Sequence, residues 1–247
     1  MKNKEQTKEI ERLVYNYFSS KKIIEFYSRP RLHTTEGKII GKFFKKRGKI
    51  LDVCCGAARA SIALGKRGFK VYGVDINKIL IKKGIENIKK EKINNVKCIL
   101  MNAKDMEFKK ESFDYVVIFE NSLEHIPKKV NRFLIFKKAY TSLKKGGIMI
   151  VTFHPFLYPP IFLRAIFFNF MDKLRRKLKF GDILFYNKIY YHIFPSWEKI
   201  LLIKMFKFKF FRIFPHNVLY TRNNKIPYRK FYMMLFPFIY QYWVLRK

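Results

Sequence analysis

Between residues 49 and 153, short apolar runs alternate with longer stretches in which apolar residues recur every three to four positions. The short runs are "KILDVC", "FKVYGVDI", "VKCILMN", "FDYVVIFE" and "GIMIVTF". They are rich in Val, Ile and Phe and bounded by Gly, Asn, Asp or Lys, which predicts strands. The intervening "AARASIALGKRG", "NKILIKKGIENIKKEKI" and "KKVNRFLIFKKAYTSLKKG" predict amphipathic helices, the first ending at Gly68 and the third stopping at glycine. Strands that alternate with helices in this way predict an α/β fold, a doubly wound and mostly parallel seven-stranded sheet.

The flanks differ in character. Residues 1–48 predict a helical lead-in carrying Tyr15, Tyr17, Phe18, Phe26 and Tyr27, and residues 49–153 the α/β core. Residues 154–247 hold one of the 11 glycines, seven of the nine prolines, and only three acids: Asp172, Asp182 and Glu198. Within them "PSWEKILLIKMF" predicts a helix with Ser196 as N-cap and Glu198 in its first turn. "KFKFFRIF" and "YQYWVLRK" predict strands that close the sheet. The remaining "HPFLYPPIFLRAIFFNFMDKLRRKLKF" and "YRKFYMMLFPFIY" are aromatic, basic and broken by proline, as expected of an insertion or cap.

The first predicted strand runs into "DVCCGAARA", the turn that approaches a ligand most closely in a doubly wound sheet. A dinucleotide fingerprint, G-x-G-x-x-G, would fall on Cys54, Gly56 and Arg59, and arginine at the third position obstructs the close packing that glycine allows. A G-x-G-x-G frame falls on Cys54, Gly56 and Ala58, all small, two residues after Asp52. That frame suits a cofactor without a pyrophosphate. Asp75 follows Gly56 by 19 residues, at the end of the second strand, where an acid can hold both hydroxyls of a ribose. If Cys54 or Ala58 must adopt positive φ, each costs about 1 kcal/mol relative to glycine.

The series of motifs resembles the class I S-adenosylmethionine-dependent methyltransferases (methyltransferase type 11), in the branch that includes quinone-biosynthesis enzymes. "ILDVCCGAARASIALGKRG" is similar to their first motif, "VYGVDI" to the ribose-binding strand and "MNAKDMEF" to the adenine loop. "FDYVVIFENSLEHIP" resembles the fourth strand with its turn, and "LKKGGIMIVTF" the fifth strand. The resemblance covers 49–153 and implies S-adenosylmethionine as cofactor. It implies that Asp52 lies near the methionine amino group and that Cys54, Gly56 and Ala58 line the backbone contact. It places Asp75 on the ribose, Ile76 against adenine, Asn102 and Ala103 at the adenine amino group, and Phe119 and Glu120 beside the methionine. Asn102 stands where the family usually has Asp; its amide oxygen can still accept a hydrogen bond.

Methyl transfer is an in-line displacement that alignment accelerates, and a base is needed only for a hydroxyl acceptor. Glu120, Glu124 and His125 follow the fourth strand and His154 closes the fifth; of these Glu120, His125 and His154 are weak candidates for such a role. A packing or capping role for His125 and a loop role for His154 are the plainer readings. The three cysteines, Cys54, Cys55 and Cys98, show no metal spacing and no disulfide framework, so no metal is expected.

The net charge of +35 favours an anionic partner, yet it is spread along the chain as compositional bias would spread it. The aromatic, basic C-terminal region suits a small hydrophobic acceptor, quinone- or lipid-like, with peripheral contact to an anionic membrane. An RNA or protein methyltransferase using the basic surface is the second reading, and a non-catalytic binding protein on the same fold the third. The Asp/Asn-Pro-Pro-aromatic turn of nucleic-acid N-methylation is absent; "ENSLEHIP" stands in its place. The charged N-terminus does not read as a signal peptide, no run reaches the roughly 18 apolar residues of a spanning helix, and a cytoplasmic location is expected.

Overall fold

The computed structural model describes residues 2–154, 181–185, 189–217 and 238–247. The insertion or cap expected for "HPFLYPPIFLRAIFFNFMDKLRRKLKF" beyond its first residue, and for most of "YRKFYMMLFPFIY", lies outside them.

Three helices open the chain: α1 (Lys2–Phe18), α2 (Lys21–Tyr27) and α3 (Thr34–Phe43). The core follows as β1 (Lys49–Val53), α4 (Arg59–Gly65), β2 (Lys70–Asp75), α5 (Lys78–Lys90), β3 (Val96–Leu100), β4 (Phe113–Ile118), α6 (Lys129–Ser142) and β5 (Leu143–Phe153). A hairpin of β6 (Asp182–Phe185) and β7 (Ile189–His192) precedes α7 (Ser196–Met205), β8 (Phe210–Asn217) and β9 (Phe238–Arg246). The main sheet has seven strands in the order β3-β2-β1-β4-β5-β9-β8. Strands β1 to β5 are mutually parallel, and β9 runs antiparallel to both β5 and β8.

Period-two alternation divides the sheet residues between two apolar layers. Leu51 and Val53, Val116 and Ile118, Met149 and Val151, and Trp243 and Leu245 face one side, where Ile135, Phe136 and Ala139 of α6 and Leu202 of α7 meet them. Ile50, Tyr115, Val117, Ile148, Ile150 and Val244 face the other, against Ile39 and Ile40 of α3, Ile62 and Leu64 of α4 and Ile88 of α5. Strands covered on both faces read as continuous apolar runs, which is why the pattern was legible. Each such fully buried aliphatic side chain contributes roughly 1.5–3 kcal/mol.

Two local expectations are corrected. Pro195, not Ser196, is the N-cap of α7; Ser196 is its first helical residue, and no side-chain cap hydrogen bond forms. The α6 helix ends at Ser142 rather than at a glycine, because Leu143 turns extended and pairs with Phe113 of β4. Gly146 then sits within β5, donating its N–H to the Lys247 carbonyl at 2.8 Å. Among the described residues, no helix is long and apolar enough to cross a membrane.

Candidate active site

The sheet order reverses between β1 and β4, so the carboxyl ends of β1, β2 and β4 open a crevice there. It holds a cavity of about 390 Å³. The turn after β1 builds its floor with three alternating left-handed residues, Cys54 (φ 61°), Gly56 (φ 54°) and Ala58 (φ 64°). The two residues that stand where glycine was expected thus both occupy glycine-type backbone. Gly73 on β2 makes room for this turn: a Cβ there would lie 2.7 Å from the Cys55 Sγ.

Asp75, at the end of β2, ties the turn down. Its Oδ2 accepts the Gly56 N–H at 2.9 Å and its Oδ1 the Asn77 N–H at 2.8 Å. The Asn77 side chain caps α5 by accepting from the amides of Ile79 and Leu80. Its amide nitrogen donates to the Ser19 hydroxyl at 2.9 Å, which fastens the end of α1 to the same corner. Burial raises the Asp75 carboxyl above the ordinary 3.8, opposed by the hydrogen bonds from Asn77 and Gly56. Asp52, also buried, accepts the Ser61 hydroxyl at 2.6 Å. Desolvation pushes its carboxyl up to about 7, against the hydrogen bond from Ser61 and the Arg59 guanidinium.

Nine of the ten expected cofactor residues line the cavity: Asp52, Cys54, Gly56, Asp75, Ile76, Asn102, Ala103, Phe119 and Glu120. Ala58 does not; it lies buried behind the turn as the N-cap of α4. Asn102 begins a short 3-10 turn, its side-chain oxygen accepting the Lys104 N–H at 3.1 Å. Phe119 and Glu120 follow β4 rather than ending it.

Of the three weak catalytic candidates, the structure brings two to the cavity. His125 lines it from a short 3-10 turn (Ser122–His125), edge-on to Phe18 with ring centroids 5.0 Å apart. Its Nδ1 lies 3.0 Å from the Tyr190 carbonyl oxygen. A carbonyl only accepts, so Nδ1 carries the proton and Nε2 is left as an acceptor. Burial lowers the His125 pKa to about 4, so the ring is neutral near pH 7. Glu120 lines the cavity but is already engaged: His33 Nε2 lies 2.6 Å and Arg59 Nη2 3.0 Å from its Oε1. His154 is not on the wall. Its ring is gripped by Glu124 and by the Asn121 amide, and Lys199 donates to its carbonyl at 2.6 Å.

Two groups of wall residues lay outside the sequence expectations. Glu11, Val14, Tyr15 and Phe18 form one wall from α1, at helical spacing i, i+3, i+4 and i+7, which was the available signal. Arg59, read as an obstruction in a dinucleotide frame, is buried and holds Glu36 of α3 through two hydrogen bonds of 2.9 and 2.8 Å. Burial alone would lower its pKa, but the Glu36 carboxylate more than reverses this. His33, Glu36 and Glu120 place three potential ligand atoms within 4.8 Å of one another. The Arg59 guanidinium lies between the two carboxylates, 2.8 Å from Glu36 and 3.0 Å from Glu120.

Comparison with known proteins follows the same lines. A methyltransferase domain matches residues 50–147. The demethylmenaquinone methyltransferase of Geobacillus stearothermophilus is 36% identical over 140 residues, 54% of this chain and 58% of that enzyme. The one from Geobacillus sp. strain WCH70 is 32% identical over 174 residues, 68% of this chain and 71% of that enzyme. The match thus spans a little under six-tenths of the first relative and about seven-tenths of the second. Among solved structures, a SAM-dependent methyltransferase from Methanosarcina mazei superposes with a TM-score of 0.67 at 20% identity, covering 87% of this chain and 98% of that one. Phosphoethanolamine N-methyltransferase 2 of Haemonchus contortus, in complex with S-adenosyl-L-methionine, gives 0.65 at 15% identity, covering 94% and 59%. At these identities the two structures speak to the fold alone.

Proposed function

Because the chain belongs to the class I S-adenosylmethionine-dependent methyltransferases, we propose that it transfers a methyl group from S-adenosylmethionine to a small hydrophobic acceptor of quinone type. The observation that carries the cofactor is the charge of the cavity. In a chain with 53 basic and 18 acidic residues, the wall holds four acids (Glu11, Asp52, Asp75, Glu120) and three bases (Arg12, Arg59, Lys104). Arg59 is further neutralised by Glu36. A strongly basic protein has therefore built a cavity without an excess of positive charge, and the acids in it suit a sulfonium cation better than a pyrophosphate. The turn agrees: the Gly56 amide that would face a diphosphate is occupied by the Asp75 carboxylate.

In this assignment Asp75 holds the ribose, Ile76, Asn102 and Ala103 surround the adenine, and Asp52, Phe119 and Glu120 face the methionine end. S-adenosylmethionine supplies an activated methyl group and a neutral thioether leaving group. The chain supplies alignment and exclusion of water, through Tyr15 and Phe18 of α1 and Tyr27 of α2 on the cavity wall. His125 presents Nε2 to an acceptor hydroxyl. With a pKa near 4 it orients that hydroxyl by hydrogen bonding rather than stripping its proton. The acceptor class rests on the curated relatives, which are named as acting on demethylmenaquinone. A prenylated quinone resides in a bilayer, so the protein meets it at a membrane surface.

Calorimetric titration with S-adenosylmethionine and its demethylated product, followed by turnover of a short-chain prenyl naphthoquinol, tests this. Micromolar binding with methyl transfer to the quinol is expected. Binding without transfer to the quinol, but with salt-sensitive transfer to RNA or protein, would replace the acceptor; no binding at all would remove the enzyme.

A further inference from the structure

Helix α7 buries two charged residues and exposes four large apolar ones. Of its charged residues Glu198 and Lys199 are buried, Glu198 against His192 at 3.0 Å and Arg132 at 3.4 Å, and Lys199 against the His154 carbonyl. Leu202 enters the core, but four large apolar residues point outward: Trp197 is 58% exposed, Ile200 46%, Leu201 39% and Met205 54%. These stand at i, i+3, i+4 and i+8, one face of the helix. The neighbouring α6 repeats the arrangement, with Arg132 buried and Val130 and Leu134 exposed. The two helices lie side by side in the same sense. Arg132 meets Glu198 near their starts, and Phe136 and Tyr140 meet Phe206 near their ends, with ring centroids 5.4 and 5.3 Å apart. Their outer surfaces therefore lie next to each other on the same side of the sheet.

Scattered exposed apolar residues need no explanation, but a contiguous patch with a basic rim does. Here the two segments bring mostly basic charge to the surface, and the exposed acid beside the end of α6, Glu111, is paired with Lys247 at 3.4 Å. Lys137 and Lys204 lie on these faces, and Lys128, Lys129, Lys207 and Lys209 flank them, all exposed. Between 128–142 and 196–209 the one acid is the buried Glu198. A protein partner of ordinary composition would offer both signs of charge to this rim. A surface that offers apolar depth and a uniform negative charge is an anionic lipid bilayer, and an exposed tryptophan beside lysines is the side-chain set that settles at its interface.

The geometry points to the outer face of α6 and α7 as the surface by which this protein docks on anionic membranes, with Trp197, Ile200, Leu201 and Met205 entering the headgroup region. The inference deepens the proposed acceptor class, since it places the enzyme where a prenylated substrate resides. The chain connects the two places directly: Ile126 and Pro127 line the cavity and lead into Lys128, the N-cap of α6.

The chain has two tryptophans, and Trp243 is buried at 6% exposure, so a Trp243→Phe variant leaves Trp197 as the sole reporter. Added phosphatidylglycerol vesicles should shift its emission to the blue, and brominated lipid should quench it, whereas phosphatidylcholine vesicles should do neither. A Trp197→Ser/Leu201→Ser variant of the full chain should lose about tenfold or more in vesicle pelleting while its calorimetric binding of S-adenosylmethionine is unchanged. Emission indifferent to anionic vesicles would overturn the proposal. So would a Trp197 shielded from acrylamide before lipid is added, with the chain monomeric (its own residues cover the face) or with its mass doubled (a second copy does). A protein that binds vesicles but not S-adenosylmethionine would sink the methyltransferase reading and leave the docking face standing; the converse would sink the docking face alone.

Discussion

The Asp75 carboxylate accepts the backbone N–H of Gly56 at 2.9 Å, joining the end of β2 to the turn after β1. One side chain thus fixes the turn and faces the cavity. Asp75→Asn tests both roles. The amide keeps one acceptor oxygen but turns an NH₂ toward either Gly56 or Asn77, leaving a buried amide unsatisfied. The expected outcome is a loss of about 1–3 kcal/mol in stability, since that is the cost of such a group. S-adenosylmethionine affinity should fall about tenfold to a hundredfold, read by calorimetry. A variant with wild-type affinity would remove Asp75 from the cofactor site.

Cys54 and Ala58 hold left-handed backbone that glycine adopts at no steric cost. An L-residue there costs roughly 1–2 kcal/mol, of which the unfolded-chain entropy of glycine returns about half. Cys54→Gly/Ala58→Gly should therefore gain about 1 kcal/mol in denaturant unfolding and keep cofactor binding. Ala58→Val should lose about 3 kcal/mol or more, because a β-branched residue at positive φ is a true outlier and the site has no room: the methyl is fully buried, 3.3 Å from where a Cβ on Gly84 would stand. Equal stability of the glycine and valine variants would mean that the turn relaxes to ordinary φ in solution.

The α/β core was legible because both faces of its strands are buried and glycine, asparagine and aspartate punctuate them. The turn at 52–58 was legible because spacing within one strand-turn-helix unit is a local property. The wall supplied by α1, and the Arg59–Glu36 pair, were not. Arg59 is separated from Glu36 by 23 positions and from Glu120 by 61, and no local pattern joins them. Only the packing of α3 against α4 reveals that Arg59 serves a buried carboxylate. The same limit applied to His125 and His154. Each follows a strand, and only the structure shows that one faces the cavity while the other is held by Glu124 and Asn121.

Asp52 carries a cost that depends on pH. Its carboxyl titrates near 7 in the folded protein against an ordinary 3.8. A raised acid binds its proton in the folded chain while the unfolded chain has lost it, so the contribution to stability is whole below about pH 4 and is lost as pH rises through 7. Asp52→Asn should therefore stabilise the protein by a few kcal/mol at about pH 8 and change little at about pH 4. The Ser61 hydroxyl can still donate to the amide oxygen. Affinity for the cationic cofactor should drop in the same variant, measured side by side with the melting temperature. A stability gain equal at both pH values would assign it to packing instead of charge.

His125 has the opposite sign. Its pKa stands near 4, below the ordinary 6.5, because burial penalises the imidazolium more than the Tyr190 carbonyl and Glu124 favour it. The unfolded chain takes up the proton first, so the stability this residue contributes is present above about pH 6.5 and is lost as pH falls through 4. The full difference is about 3 kcal/mol. Glutamine at 125 can donate to the same carbonyl and does not titrate. Denaturant unfolding of wild type and His125→Gln at about pH 7 and about pH 4 should show the wild type losing about 2–3 kcal/mol more than the variant over that interval. The variant should also turn over a naphthoquinol about tenfold more slowly with unchanged cofactor affinity, because the proposed mechanism uses Nε2 to orient the acceptor hydroxyl. If the two proteins share one pH profile, the ring is protonated or solvated in the folded state, and a neutral Nε2 acceptor is no longer available to orient the substrate.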